Sequence, residues 1–177
     1  MKILITGSDG FLGKEFTKYF SKEHEVISMN RVGLDVSVEE QVMAFFQDNE
    51  VDAILHTAFV GGKRTQPDDF LGLCQNLLSH KNLILHKKKS QLLFCFGSGA
   101  AYDRASTIRG VKEDDLLSCC PFDYYGMAKN IISRDILTRT GQNVYDFRLF
   151  GCFGKEEEDS RFIKSALRNI NKGDPVV

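Results

Sequence analysis

The apolar run Ile3-Leu4-Ile5-Thr6 passes directly into glycines at 7, 10 and 13. Few folds accept that order, because a buried strand must end in a tight turn and a helix must begin at once. Gly7 permits the turn, Gly10 removes a side chain where the backbone could approach a pyrophosphate, and Gly13 lets the helix lie close to the sheet. The amphipathic run Phe11, Leu12, Phe16, Tyr19 and Phe20 supplies the helix. Its N-terminus would aim free N–H groups and the positive end of its dipole at an anion. Glycines are also ordinary loop punctuation. Their place behind an N-terminal strand favours a phosphate cradle formed by Gly7, Ser8, Asp9, Gly10, Phe11, Leu12 and Gly13.

The rest of the chain keeps the same rhythm. Apolar runs predict strands over 2–6, 25–29, 52–57, 91–96 and 143–149, and helical spacing predicts helices over 11–22, 38–48, 67–88, 121–140 and 159–172. Strand followed by helix, repeated, means an α/β fold: a doubly wound, Rossmann-type parallel sheet with helices on both faces and ligands outside the carboxyl ends of the strands. The stretch 97–120 is the longest irregular one, and a loop of that length in a compact domain is usually functional.

Composition excludes several classes of function. A net charge of −1 with scattered Lys and Arg gives no electrostatic support to a nucleic-acid partner. No apolar run approaches the ~20 residues of a membrane span, and no export signal is expected ahead of the first strand. Five cysteines, at 74, 95, 119, 120 and 152, show neither a paired framework nor metal-ligand spacing. The expectation is a reduced, cytoplasmic protein with no metal site.

Tyr125 and Lys129 are four residues apart, one turn above each other on a helix. A phenol of pKa ~10 is a poor base at neutral pH, and a nearby ammonium favours its phenolate. Ser98 follows the apolar strand Leu92 to Phe96 in a Gly-rich turn, at a strand's carboxyl end. NAD-selective folds place an acid at the end of the second strand, whereas this chain has Met29-Asn30-Arg31, which favours the 2′-phosphate of NADP. The acidic run Glu156 to Asp159 reads as a solvated loop before a helix.

The glycine spacing together with Ser98, Tyr125 and Lys129 resembles the extended branch of the short-chain dehydrogenase/reductase superfamily. That branch comprises NAD(P)-dependent nucleotide-sugar epimerases, dehydratases and reductases, among them GDP-fucose synthase and dTDP-4-dehydrorhamnose reductase. The resemblance implies a Ser98, Tyr125, Lys129 triad, with Tyr125 as acid–base and Lys129 also holding the nicotinamide ribose. It further implies cofactor contacts at Asn30, Arg31, Asp35, Val36, His56, Thr57, Ala58 and Asn76, with a core histidine as the alternative reading of His56, NADP preferred over NAD, and a nucleotide-linked sugar as substrate. A homodimer through the fourth and fifth helices of the family's order is expected, the fifth being the one that opens with Tyr125. Two departures narrow the chemistry. GDP-fucose synthase uses a cysteine and a histidine where this chain has Ala100 and Arg161, and dehydratases carry Thr-Asp-Glu where it reads Ser98-Gly99-Ala100. A 4-ketoreductase or a C4-type epimerase remains, beside the alternative of a dinucleotide-binding module without turnover. Residues 1–154 form the expected NAD(P)-binding domain, and 155–177 begin a substrate region that is mostly absent.

Overall fold

The computed structural model describes residues 1–63, 66–103 and 109–176. Five parallel strands form one sheet: β1 (Lys2–Thr6), β2 (Glu25–Met29), β3 (Ala53–His56), β4 (Leu92–Cys95) and β5 (Val144–Asp146), in the order β2-β1-β3-β4-β5. Five helices connect or follow them: α1 (Phe11–Phe20), α2 (Glu39–Asp48), α3 (Phe70–His86), α4 (Tyr124–Leu137) and α5 (Phe162–Lys172).

Alternate side chains on each strand serve opposite faces. Ile3, Ile5, Ala53 and Leu55 pack with Phe16 and Phe20 of α1. Leu4, Ile54 and Leu93 pack with Val42 and Phe45 of α2, Leu83 of α3, and Ile132 and Ile136 of α4. Helices therefore cover both faces, three on one side and α1 on the other. Beyond α1, an aromatic row continues along the sheet from Phe96 to Phe147, Phe94 and Tyr145. Phe147 and Tyr145 remain 49% and 45% exposed. The apolar residues of α5, Phe162, Leu167 and Ile170, are exposed as well.

Several boundaries differ from those expected, for local reasons. α3 and α4 begin three residues later than predicted, because Asp69 and Asp123 act as N-caps, accepting from the amides of Gly72 and Gly126 at 2.7 Å each. β5 is shorter than predicted as a continuous strand, although Phe147 and Leu149 still donate to the carbonyls of Cys95 and Gly97 and Leu149 bridges Ser98 in parallel. Two short helical turns, Gly99–Ala101 and Glu113–Ser118, lie within the stretch expected to be irregular.

The chain crosses from β1 to β2 on one side and from β2 back to β3 on the other. A crevice therefore opens at the carboxyl ends of β1 and β3, the place where such sheets take ligands. Among the described residues, no helix is long and apolar enough to cross a membrane.

Candidate active site

The glycine loop is built by close approach. Gly7 has φ +70°, and a Cβ there would lie 2.6 Å from the backbone of Ala58 on the neighbouring strand's exit. A Cβ on Gly13 would lie 2.2 Å from the Gly7 carbonyl, so the loop and the first turn of α1 touch backbone to backbone. Thr57 binds the two strand ends together by donating its hydroxyl to the Thr6 carbonyl at 2.7 Å. Gly10 occupies the N-cap of α1 and no side chain caps that helix, so its first amides keep their donors for another acceptor.

The corner at the end of β2 is organised by Asn30. Its Oδ1 accepts from the amides of Val32 and Gly33, and its Nδ2 donates to Asp9 Oδ2 at 2.8 Å. Arg31 pairs through Nε with Asp35 Oδ2 at 3.0 Å. Burial alone would raise the Asp35 carboxyl, but hydrogen bonds from Ser37 and Arg31 outweigh it and hold the group below its ordinary value. The loop thus brings one cation and two carboxylates together.

Tyr125 and Lys129 lie on the first two turns of α4. The helical turn that follows Ser98 packs against this helix start, with the Ala100 carbonyl 2.7 Å from where a Cβ on Gly126 would stand. Ser98 Oγ accepts from the Ala100 amide at 3.1 Å and so caps that turn. Lys129 donates to the Phe96 carbonyl at 2.6 Å, and its Nζ lies 5.7 Å from the centre of the Tyr125 ring. Burial lowers the Lys129 pKa to about 8, against the opposing pull of Cys95 and Asp146. Burial likewise raises the Cys95 thiol to about 12.

A cleft of about 610 Å³ joins these parts. It is lined by Gly7, Asp9 and Gly10 of the glycine loop, by Asn30, Arg31, Asp35 and Val36, by Thr57 and Ala58, and by Asn76 and Tyr125. Ser8, Phe11, Leu12, Gly13, Ser98 and Lys129 are not among the residues that line the cleft, and Lys129 is buried beside it. His56 points into the layer between sheet and helices, where its Nδ1 meets Thr6 Oγ1 at 2.8 Å. Asn76 holds Val60, accepting from its amide at 2.8 Å and donating to its carbonyl at 2.9 Å. Sequence reasoning missed Phe59, Val60 and Gly61, which line the cleft beside Tyr125. The Gly61-Gly62 pair, five positions beyond the end of an apolar strand, was the available signal.

The NAD dependent epimerase/dehydratase family model matches residues 3–177. The chain belongs to this family. Among curated proteins it is 26% identical to GDP-L-colitose synthase of Yersinia pseudotuberculosis, over 96% of this chain and 60% of the relative. Among solved structures, a GDP-D-glycero-L-gluco-heptose synthase from Campylobacter jejuni, determined in the presence of NADPH, superposes with a TM-score of 0.79 at 22% identity, covering 95% of this chain and 54% of that one. A GDP-mannoheptose C4 reductase from the same organism, with NADP bound, gives 0.76 at 21% identity, covering 97% and 57%. These structures share the fold, and the present chain spans 54% to 60% of the lengths of these three relatives.

Proposed function

We propose that this chain forms the cofactor-binding and proton-transferring part of a nucleotide-sugar oxidoreductase, taking NADP, or NAD, in the cleft. The observation that carries this reading is that the glycine cradle and Tyr125 open onto one cleft at the carboxyl ends of parallel strands. The cradle fits a dinucleotide: Gly7 and Gly10 present only backbone to the cleft, at the uncapped start of α1. Arg31 is the cation suited to a 2′-phosphate, which makes NADP the preferred form.

When bound, the nicotinamide supplies or accepts a hydride. The chain's own groups handle the proton. Tyr125 exchanges it with the carbinol or ketone oxygen of the sugar, Lys129 favours the phenolate by its charge, and Ser98 hydrogen-bonds the reacting oxygen. The named activities of the relatives support a nucleotide-linked sugar as substrate. With Ala100 and Arg161 at the two positions noted above, the chemistry is 4-keto reduction or C4-type epimerisation. The groove between α3 and α4, with Leu77, Ile84 and Ile131 on its floor, offers the face for a homodimer, which sedimentation would detect.

The test is turnover of NADPH against a panel of nucleotide-linked 4-ketosugars. Wild-type protein should consume NADPH with at least one of them, and Tyr125→Phe should abolish this while leaving cofactor affinity nearly unchanged. Tight cofactor binding with no hydride loss on any ketosugar would overturn the enzyme reading in favour of a dinucleotide-binding module. That second reading draws on the partial coverage of the relatives and on the withdrawn position of Lys129.

A further inference from the structure

The segment leaving β3 lies across the start of α4, and the side chains of Asn76, Asp68 and Arg161 hold it there. Asn76 clamps Val60 by both its amide and its carbonyl. Asp68 Oδ1 accepts from the Gly62 amide at 2.7 Å, and Arg161, at the start of α5, donates to the Gly62 carbonyl at 3.2 Å. Gly62 rests on the Tyr125 ring so closely that a Cβ would lie 2.6 Å from its Cε2. Within this strap, Phe59 meets the Tyr125 ring edge to face, with centroids 5.3 Å apart and planes at 81°. It also contacts Lys129, whose Nζ stands 3.4 Å from the Phe59 centroid, and it packs against the core beneath the sheet's helices. Phe59 lines the cleft and Lys129 does not.

We propose that Phe59 is a positioning residue that gates Lys129: its ring holds the ammonium beneath it, against the Phe96 carbonyl, and dinucleotide entry displaces the ring so that Lys129 reaches the cleft. The inference deepens the function proposed above and rests on it. A cation against an aromatic face in a water-poor site is well held, and the buried ammonium has the Phe96 carbonyl as a second partner. Only the fraction of molecules with the ring displaced is then competent to use Lys129, so apparent cofactor affinity is reduced by that fraction. Tyr125 shares the same ring, so opening the gate alters the packing of both groups together.

The test uses protein labelled with 13C-lysine and NADPH as the probe. In the resting protein the Lys129 Hε resonances should lie well upfield, as protons over an aromatic face do. Phe59→Leu should remove that shift and bind NADPH more tightly, on the order of 10-fold. Phe59→Tyr, which keeps a ring, should retain the shift. Saturating wild-type protein with NADPH should move the Lys129 signal downfield toward its position in Phe59→Leu. Saturable NADPH binding that leaves the upfield signal in place, with no gain in affinity for Phe59→Leu, overturns the gate while leaving the cofactor reading intact. Failure of wild type and Phe59→Leu alike to bind NADPH or NADH overturns the cofactor reading, and the gate with it. Binding by Phe59→Leu alone supports the gate in its strongest form.

Discussion

The side-chain amide of Asn30 donates to the carboxylate of Asp9 at 2.8 Å, joining the end of β2 to the glycine loop. A negative charge thus stands at the corner where dinucleotide folds read the adenosine ribose, although β2 itself ends without an acid. Arg31 faces the same cleft, partly neutralised by Asp35. Asp9→Asn should therefore raise affinity for NADPH relative to NADH by about 3- to 5-fold, the scale of an exposed charge interaction. Arg31→Ala should shift the ratio the other way. Fluorescence titrations of both cofactors at fixed ionic strength check the pair.

Gly13→Ala should destabilise the fold by roughly 2 to 3 kcal/mol, as overpacking at a backbone contact does. The added Cβ would meet the Gly7 carbonyl at 2.2 Å, and backbone cannot rotate away as a side chain can. Urea denaturation should show a lower midpoint with an unchanged slope.

Arg148 and Asp146 form a buried ion pair at 2.9 Å, with side chains 9% and 5% exposed. Ser133 also donates to Asp146 at 2.6 Å, and Arg148 reaches the Tyr102 hydroxyl at 2.7 Å, which ties β5 to α4 and to the turn after Ser98. Arg148→Met leaves a buried carboxylate without its cation and should cost about 3 to 5 kcal/mol. Combining it with Asp146→Asn should recover much of that loss. A urea midpoint for the double variant as low as that for Arg148→Met would contradict this account.

His56 gives the protein an acid-sensitive core. Burial lowers its pKa from 6.5 to about 3, with smaller contributions from the charges of His80 and Lys129. The folded state holds the ring neutral where the unfolded chain protonates it. Stability therefore falls as pH is lowered from 6.5 to about 3, by an amount on the order of 5 kcal/mol. The penalty is absent above the upper limit of that interval and complete below the lower one. His56→Gln, which can still bond Thr6, should lose less stability than wild type over the same interval in denaturation measured at several pH values.

What could be read from the sequence follows from what is local. The apolar run Ile3 to Ile5 marks a buried strand by itself, and the glycine at 13 answers a contact with Gly7 only six positions away, whereas the approach of Gly7 to Ala58 spans 51 positions and is visible only in the fold. Helical spacing together with the family resemblance singles out Tyr125 and Lys129, but neither says where the Lys129 ammonium points. Phe59 decides that, and it lies 70 positions earlier than Lys129 in the chain. The inward turn of His56 likewise depends on which strand face it occupies, a matter of one residue of register. Asp9 reads as part of a phosphate loop until the turn at Asn30 brings the end of β2 against it.

In the proposed function, the cleft between the glycine loop and α4 takes a nicotinamide dinucleotide. The most direct test is an NADPH titration followed by the cofactor's own emission. Saturable binding that persists in Tyr125→Phe and is lost when Gly10 is replaced by a bulky residue is the predicted result. Absence of binding by NADPH and NADH alike, in protein shown to be folded, would contradict it.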